Sequence, residues 1–374
     1  MRVLLHGRHD LRKKPGGDAV HIDMLARLLP TFGVQAEVVT AASPHMEKVD
    51  LVHLFNLSRA DETHAQWRNA RRHGVPAVCT PIYSPRKRLE RYELDGWHGC
   101  YRVLPRLVPD FERRQELKSL VRCFSEGRPG LWLRQRSMGY HTQQLAVLRG
   151  VEKILVDTQS EAEALAADFG LEDLPITIVP LGVDAVPQGK PPEAPDLTSQ
   201  IPQAAYVLNP ARVEPLKNQL ALMRALDDTH LHVVFTGHLS RQHLSYARRF
   251  RAAVRSNPRW HYLGNVRQEQ LAVLYDSAAA VAIPSWVENC CLAAVEGAMH
   301  DRPVVVTSES YTHEYLGNRA FYCDPASPES IRRTVLAAVE QGARSRPPSV
   351  ELPNWGNHVR GMVEVYRKCL ATSP

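Results

Sequence analysis

The sequence predicts an α/β protein made of two Rossmann-like domains. Short apolar runs typical of buried strands alternate with helical patterns along most of the 374 residues, which is the arrangement of parallel sheets covered by helices. A chain of this length suits two domains better than one. A stretch rich in proline, glycine and polar residues at 185–203 interrupts the alternation, and we expect it to be the linker between the domains.

The first domain opens with a strand, a glycine-containing loop and a helix. The strand is predicted at Val3–His6, and Gly16 and Gly17 precede the helix. Paired glycines allow a ligand to approach the backbone closely, and Asp18 is predicted to cap the helix. Further strands are predicted at 33–40, 49–54 and 75–80, with a helix at 58–73 before the last of them. This order favours parallel pairing.

A basic helical segment then interrupts the domain. Residues 86–149 contain 14 Lys or Arg and 7 Asp or Glu, an excess of seven positive charges, whereas the whole chain carries a formal charge of +6. Such a field attracts anionic partners, and long insertions often carry specificity. We therefore expect an acceptor-binding element here, with an anionic acceptor or a membrane surface as its partner. A set of solvated helices with arginine-rich faces is the alternative interpretation.

The remaining elements continue the alternation of strands and helices. Two strands are expected at 151–157 and 176–184, with Ser160 and Glu163 forming a capping box between them. In the second domain, strands are predicted at 204–208, 231–237, 261–266, 279–283 and 303–306, and helices at 268–276 and about 290–299. A terminal helix is predicted at 354–370.

The pattern that points to a function lies between two buried strands of the second domain. Glu288 is on the turn after strand 279–283, and Glu296 is on the helix that follows. Ligands of open α/β sheets bind beyond the carboxyl ends of the strands, where this turn is placed. A helix N-terminus favours a phosphate, and a carboxylate two turns along can accept hydrogen bonds from two sugar hydroxyls. A nucleotide sugar carries both groups.

These two glutamates, separated by seven residues, resemble the Glu-x7-Glu motif of the group 1 family of retaining glycosyltransferases, which are GT-B enzymes similar to glycosyltransferase family 4. The Pro284-Ser pair and the Pro303-Val-Val strand also lie where that family has them. The resemblance covers nearly the whole chain, strongly from about 204 to 325 and poorly from 81 to 150. It implies two Rossmann-like domains facing across a cleft. The expected boundaries are 1–185, with the basic insertion at about 85–150, 186–353, and 354–374 for a helix that crosses back to the first domain.

The resemblance also implies roles for individual residues. Arg212 and Lys217 match an Arg-x4-Lys pair that holds the donor diphosphate, where fixed cations stabilise the departing charge. With Glu288, which would contact the donor sugar, they form the expected catalytic set, and Glu296 would hold the ribose. The polar loop 308–314 would bind the donor through its amides. The other donor contacts implied are Gly16, Gly17, Val266, Cys291 and Leu292.

The chain departs from the family pattern at two places. A histidine is usual after Thr80, but the sequence continues Pro81-Ile-Tyr83. We expect Tyr83 in its place and Arg86 beside it on the acceptor side. Cys291 stands where the family commonly has glycine, so that a Cβ lies near the approach of the phosphate.

The expected activity is transfer of a sugar, as in hexosyltransferases, from a nucleoside-diphosphate sugar to a hydroxyl of a glycan, a lipid-linked molecule or another acceptor. A UDP- or GDP-sugar is the expected donor. Metal independence is expected because there is no Asp-x-Asp motif and the seven cysteines show no Cys-x2-Cys spacing. No apolar run approaches the roughly 20 residues of a membrane span, and no signal-peptide pattern precedes the first strand. We expect a cytoplasmic protein, with peripheral contact at the inner membrane face.

Three alternatives remain open at this point. The same transfer onto modified nucleic acid is one, because basic surfaces bind phosphates independently of sequence. A nucleotide-sugar epimerase is another, although it needs acid and base residues that the sequence does not show. The third is a protein that binds nucleotide sugars without turnover.

Overall fold

The computed structural model describes residues 1–13, 16–171, 173–183, 201–344 and 354–372. The predicted linker falls mostly outside these residues. The chain divides into two compact units. Unit 1 comprises Met1–Pro85, Leu104–Gly182 and Pro353–Pro374, and unit 2 comprises Arg86–Val103 and Val183–Leu352.

Strands and helices alternate in both units. The strands are β1 Arg2–His6, β2 Gln35–Val39, β3 Leu51–Phe55, β4 Ala77–Thr80, β5 Lys153–Val156, β6 Ile176–Ile178, β7 Tyr206–Pro210, β8 His232–Thr236, β9 Trp260–Tyr262, β10 Ala280–Ile283, β11 Val304–Thr307 and β12 Ala320–Cys323. The helices are α1 Gly17–Leu28, α2 Ala60–Arg72, α3 Arg86–Arg91, α4 Leu104–Leu107, α5 Phe111–Ser125, α6 Pro129–Met138, α7 Tyr140–Gly150, α8 Gln159–Phe169, α9 Gln219–Leu226, α10 Leu244–Ser256, α11 Gln268–Ser277, α12 Leu292–Met299, α13 His313–Leu316, α14 Pro328–Arg344 and α15 Trp355–Thr372.

Each unit is built on a six-stranded parallel sheet. The strand order is β2-β1-β3-β4-β5-β6 in unit 1 and β12-β11-β10-β7-β8-β9 in unit 2. In the second sheet the order reverses between β7 and β10, which pair through Ala280 with Val207 and Val281 with Leu208. Helices cover both faces, so the inner strands are buried and form continuous apolar runs, whereas the edge strands β2, β6 and β9 are more exposed. The reversal creates a crevice at the carboxyl ends of β7 and β10, where ligands of such sheets bind.

Two apolar clusters flank each sheet. In unit 1, α1 and α15 cover one face, and α2, α7 and α8 cover the other. In unit 2, α9, α10 and α14 cover one face, and α11 and α12 cover the other. The terminal helix α15 buries Val359, Met362, Val363 and Tyr366 against the first sheet. The C-terminal segment is therefore a structural part of unit 1.

The helix starts differ from those predicted. Gly16, not Asp18, is the N-cap of α1, because the Asp18 carboxylate pairs with Arg8 Nε at 2.6 Å. Thr158, not Ser160, caps α8 by accepting the Glu161 N–H at 3.1 Å. The helix predicted from about residue 290 begins at Leu292. Of these shifts, only the one at α1 involves a partner outside the helix, because Arg8 is ten positions before Asp18.

The basic segment does not form a single insertion in one unit. Residues Arg86–Val103 group with unit 2, and Leu104–Gly150 lie in unit 1. The first part packs closely in unit 2, because a Cβ built at Gly96 would lie 2.7 Å from the indole of Trp286. This division differs from the prediction, which assigned the entire segment to the first domain.

Candidate active site

The predicted donor residues of unit 2 meet at the carboxyl ends of β7 and β10. Lys217 follows β7, Glu288 follows β10, and Lys217 Nζ donates to Glu288 Oε1 at 2.5 Å. Asn218, in the left-handed conformation with φ of 60°, donates from its side chain to the Pro284 carbonyl at 3.1 Å and the Pro325 carbonyl at 2.8 Å. The amide thereby ties the turn that carries Lys217 to the end of β10.

The ion pair keeps Lys217 charged in a sparsely solvated position. The side chains of Lys217 and Glu288 are 19% and 10% exposed. Burial acts to lower the pKa of Lys217, but the charge and hydrogen bond of Glu288 outweigh it, and the pKa of Lys217 is raised. The site thus holds a fixed cation next to a carboxylate, as stabilisation of a departing phosphate requires.

Arg212 lies at the same edge and is more open to solvent. Its Nη2 donates to Glu214 Oε1 at 3.0 Å, and its side chain is 39% exposed. The Arg212 carbonyl accepts a hydrogen bond from Gln219 Nε2 at 2.8 Å. The backbone is therefore held in place while the guanidinium keeps access to a ligand, and a guanidinium can grip two phosphate oxygens at once.

Gly237 is a residue of this edge that the sequence analysis did not assign to the site. It ends β8 with φ of 108°, and a Cβ there would lie 2.5 Å from the Ala211 carbonyl oxygen. Its N–H donates to the Gly264 carbonyl at 2.7 Å. The glycine directly after a strand was the available signal. Val266, a predicted donor contact, lies two residues after Gly264. It is partly buried and packs against the apolar cluster that includes β10 and α11.

The start of α12 is strained where the family commonly has glycine. Cys291 is the N-cap with φ of 45° and ψ of 64°, the left-handed region that side chains rarely adopt. Its carbonyl accepts the Ala294 N–H at 2.8 Å, and Leu292 begins the helix. The thiol is buried. The backbone geometry of a glycine is therefore retained although the residue is different.

Glu296 lies on α12 and is already hydrogen-bonded. Tyr275 Oη donates to Glu296 Oε2 at 2.8 Å, and Gln268 Nε2 donates to Oε1 at 3.4 Å. Burial raises the pKa of Glu296, while the hydrogen bonds of Tyr275 and Gln268 act in the opposite direction. The carboxylate is oriented by α11, a support that the sequence analysis missed because nothing in the local pattern marks Tyr275 as its partner.

Two arginines of α3 hold the loop beside Glu288. Arg91 Nη1 donates to Glu309 Oε1 at 2.8 Å, and Arg88 Nε lies 3.2 Å from Glu309 Oε2. Arg91 also pairs with Asp324 at 2.6 Å. The Glu309 carbonyl accepts the Glu288 N–H at 3.0 Å. The part of the basic segment that lies in unit 2 therefore supports the turn that carries Glu288, a function that its bulk charge alone could not indicate.

Three other predicted residues, Gly16, Gly17 and Tyr83, belong to unit 1. Gly16 and Gly17 open α1; Lys14 and Pro15 of their loop lie outside the described residues. Tyr83 is buried, and its Oη donates to Asp168 Oδ2 at 2.6 Å. This inward orientation does not favour the expected acceptor role. Arg86 pairs with Glu90 at 3.0 Å on α3 and groups with unit 2, whereas we expected it on the acceptor side of the first domain.

Among the described residues, no three His, Cys, Asp or Glu side chains come together as a ligand set for a metal ion. No described helix is both long and apolar enough to cross a membrane.

The amino-acid sequence is similar to those of known glycosyltransferases. Residues 204–341 match the sequence model of the family described as Glycosyl transferases group 1. The chain is 24% identical over 406 residues to a D-inositol 3-phosphate glycosyltransferase of Pseudarthrobacter chlorophenolicus, covering 91% of this chain and 90% of that protein. It is 24% identical over 248 residues to an MMP alpha-(1->4)-mannosyltransferase of Mycolicibacterium hassiacum, covering 63% of this chain and 59% of that protein.

Solved structures show the same fold. Sucrose-phosphate synthase from Thermosynechococcus elongatus aligns over 100% of both chains with a TM-score of 0.74 and 15% identity. A complex of Anabaena Alr3699/HepE with UDP and glucose aligns over 98% of this chain and 100% of that chain, with a TM-score of 0.62 and 13% identity.

The two six-stranded parallel sheets match the GT-B fold of these solved glycosyltransferases. The predicted resemblance to the group 1 glycosyltransferases is confirmed by the match of residues 204–341 to the model of that family and by the similarity to the curated glycosyltransferases.

Proposed function

We propose that the enzyme transfers a hexose from a UDP-sugar to a hydroxyl, with the donor bound at the carboxyl ends of β7 and β10. The observation that carries the proposal is the Lys217–Glu288 pair at 2.5 Å, with Arg212 on the same loop. Cations for a diphosphate and carboxylates for sugar hydroxyls are the groups that such a donor needs. The UDP and UDP-glucose complexes of HepE, which shares the fold, favour uridine over guanosine.

In the proposed step, the acceptor hydroxyl oxygen forms a bond to the anomeric carbon while the bond from that carbon to the diphosphate breaks. The departing diphosphate oxygen takes the acceptor proton, so UDP leaves and no protein base is needed. Arg212 and Lys217 would stabilise the growing negative charge. Attack on the face from which UDP departs would retain the anomeric configuration. Glu288 would orient the sugar hydroxyls, and Glu296 would accept hydrogen bonds from the ribose. The catalysis is proposed to be independent of a metal ion.

For the acceptor, we propose a polyol or sugar hydroxyl rather than a base. The names of the compared proteins support this class, because they include a D-inositol 3-phosphate glycosyltransferase and a sucrose-phosphate synthase. Contact with a membrane surface is proposed for residues 104–138 of unit 1. This part exposes large apolar side chains beside its basic residues, a combination typical of interfacial binding. The exposed side chains are Leu107, Leu117, Val121, Phe124 and Leu133.

Thermal stabilisation by a panel of UDP-, GDP-, ADP- and dTDP-sugars tests the donor site. Ligand that binds only the folded state raises the melting temperature by mass action. We expect the largest rise with a UDP-sugar and its loss in Arg212→Ala and Glu296→Ala. Arg255→Ala removes one exposed positive charge from α10 of unit 2 and serves as the matched control.

The outcomes of this panel separate the proposals. A rise with every nucleotide, equal in wild type and variants, would place binding elsewhere and defeat the assignment of the site. A UDP-sugar response without transfer to any polyol or sugar would favour a binding protein without turnover. Where product is formed, its anomeric configuration by NMR decides between retention and inversion, and chelation of divalent ions during the assay tests metal independence.

A further inference from the structure

Unit 1 has an arginine-lined cavity that the proposed transfer reaction does not use. Its volume is about 350 Å³, and it lies between α2, the N-terminal turn of α6 and residues 42–43. Four arginines line it, and no Asp or Glu does so. They are Arg68, Arg72, Arg128 and Arg134. A cavity of this size is within the range that holds a small molecule.

Most of this charge is not neutralised by the protein. Arg128 Nη1 lies 3.3 Å from Glu62 Oε2 and 3.4 Å from Glu126 Oε2, so its charge is shared with two carboxylates. By contrast, Arg68, Arg72 and Arg134 make no ion pair with any described residue. Three guanidiniums without a carboxylate partner repel one another, and binding an anion between them relieves that repulsion.

The cavity begins near the start of α2, where Arg128 contacts Glu62, and extends along that helix away from the unit 1 residues that were expected to bind the donor or the acceptor. Helix α2 begins at Ala60, just after the carboxyl end of β3, and runs away from it. At 1.5 Å per residue, Arg68 and Arg72 are roughly 12 and 18 Å along the helix from that start. Gly16, Gly17 and Tyr83 are not among the lining residues. The site is therefore separate from the residues expected to serve transfer.

We propose that this cavity binds a phosphate monoester group. Guanidinium forks match the geometry of phosphate oxygens and form bidentate, charge-assisted hydrogen bonds with them. The group could belong to a soluble metabolite or to a lipid headgroup, since both present the same chemistry. The surroundings favour a lipid, because Leu131 lines the cavity while the next residues of α6, Trp132 and Leu133, adjoin an apolar surface. There Trp132 packs on Phe124 with ring centroids 5.9 Å apart, and Leu133 and Phe124 are exposed.

The test uses the full chain and two kinds of probe. Inorganic phosphate and glucose 6-phosphate are titrated by calorimetry as soluble probes. Co-sedimentation with phosphatidylcholine vesicles that contain phosphatidic acid, compared with vesicles of phosphatidylcholine alone, is the lipid arm. Arg68→Gln with Arg134→Gln should weaken whichever binding occurs by tenfold or more, because two charge-assisted contacts are lost.

Two controls keep the result specific. Arg27→Gln with Arg149→Gln removes two exposed arginines from other helices of unit 1 and should change binding by less than twofold. Arg68→Lys with Arg134→Lys keeps the charge and should restore part of the affinity. Melting temperatures of all variants verify folding, and the UDP-sugar response should be unchanged in each, so failure here is distinct from failure of the donor site.

Each outcome decides the proposal. Binding of the soluble probes, lost in the Gln variant, assigns a metabolite; binding only to vesicles with phosphatidic acid, lost in the same variant, assigns a headgroup. No binding to any probe, or equal loss in the cavity variant and the Arg27/Arg149 control, would overturn the proposed site.

Discussion

Each unit has its own parallel sheet of six strands, but the units differ in where their charged and titratable side chains lie. Unit 2 concentrates ion pairs at the carboxyl edge of its sheet, where Lys217 meets Glu288 and Arg91 meets Glu309. Unit 1 also has ion pairs in the loops after β1 and β3, between Arg8 and Asp18 and between Arg59 and Asp10, and in addition it buries Asp61, Glu62 and several histidines. The family model matches residues 204–341, which lie within unit 2. We propose that donor binding accounts for the charged edge of unit 2 and that helix packing accounts for the buried carboxylates and histidines of unit 1.

The largest effect that tests this difference is expected from Lys217→Ala. If the Lys217–Glu288 pair serves catalysis, the loss of a fixed cation at the departing phosphate should lower kcat by about 10²–10³-fold. The remaining Glu288 carboxylate would add repulsion to the donor diphosphate. Steady-state kinetics with the best UDP-sugar measures it, with Arg255→Ala as the control. Activity within threefold of wild type would mean that this pair is structural, like those of unit 1.

Asp61→Asn tests whether the buried carboxylates of unit 1 serve stability and not transfer. Asp61 is buried on α2, where its Oδ2 accepts hydrogen bonds from Ser119 Oγ at 3.1 Å and Cys123 Sγ at 3.0 Å, and its Oδ1 pairs with Arg122. Breaking a buried pair leaves a charge uncompensated, so unfolding should become easier by about 3 kcal/mol. Transfer per folded molecule should not change. Denaturant unfolding and kcat at low temperature measure the two quantities.

The matched control for Asp61 is Asp23→Asn, which breaks an exposed pair with Arg12. Exposed pairs contribute about 0–1 kcal/mol, so a small loss of stability is expected. If Asp61→Asn impaired transfer without destabilising the fold, the assignment of a purely structural role to the interior charges of unit 1 would be wrong.

Glu309→Gln tests whether the support from α3 matters for the donor edge. Glu309 does not lie on a strand of the sheet, but its carbonyl accepts the Glu288 N–H and its carboxylate is held by Arg88 and Arg91. We expect about a tenfold loss in kcat/KM, which is about 1.4 kcal/mol. A double-mutant cycle with Arg91→Ala should show coupling, whereas additive effects would indicate that the pair does not position Glu288.

The contrast also explains what the sequence could and could not predict. The strand at 280–283 and the start of the next strand were predicted within one residue, because buried strands and the turn between them leave a local pattern. The structure brings Lys217 and Glu288 together as a family motif implies. The partners of the basic segment could not be predicted, since Arg91 and Glu309 are 218 positions apart and no local periodicity records such a contact. Tyr83 was expected to face a ligand, but its hydrogen bond to Asp168 depends on the position of α8.

A graded difference between the two units is expected on acidification. Burial lowers the pKa of His53 to about 3 and that of His358 to about 4, and it lowers the pKa of His21 well below its usual value. These histidines remain neutral in folded unit 1, where His21 and His358 share a hydrogen bond of 2.8 Å. In the unfolded chain they take up protons below about pH 6.5.

Stability from these groups is therefore complete above pH 6.5 and is lost as the pH falls toward 4. Each histidine contributes a slope of about 1.4 kcal/mol per pH unit in that window. Hydrogen exchange at pH 7 and pH 5, corrected for intrinsic rates, should show unit 1 losing protection before unit 2. Equal loss in both units would contradict the difference in their interiors.

The smallest effect is expected at Cys291, where unit 2 keeps a glycine-like turn with another side chain. Its φ of 45° costs about 1–2 kcal/mol for a residue with a Cβ, and Cys291→Gly removes that strain while losing a small buried thiol. We expect a net gain in stability of about 0.5 kcal/mol and unchanged UDP-sugar affinity. Cys291→Val, which is branched at Cβ, should instead lower the melting temperature. If glycine and valine both weakened donor binding, the thiol itself would contact the donor, and the turn would contribute more than its backbone shape.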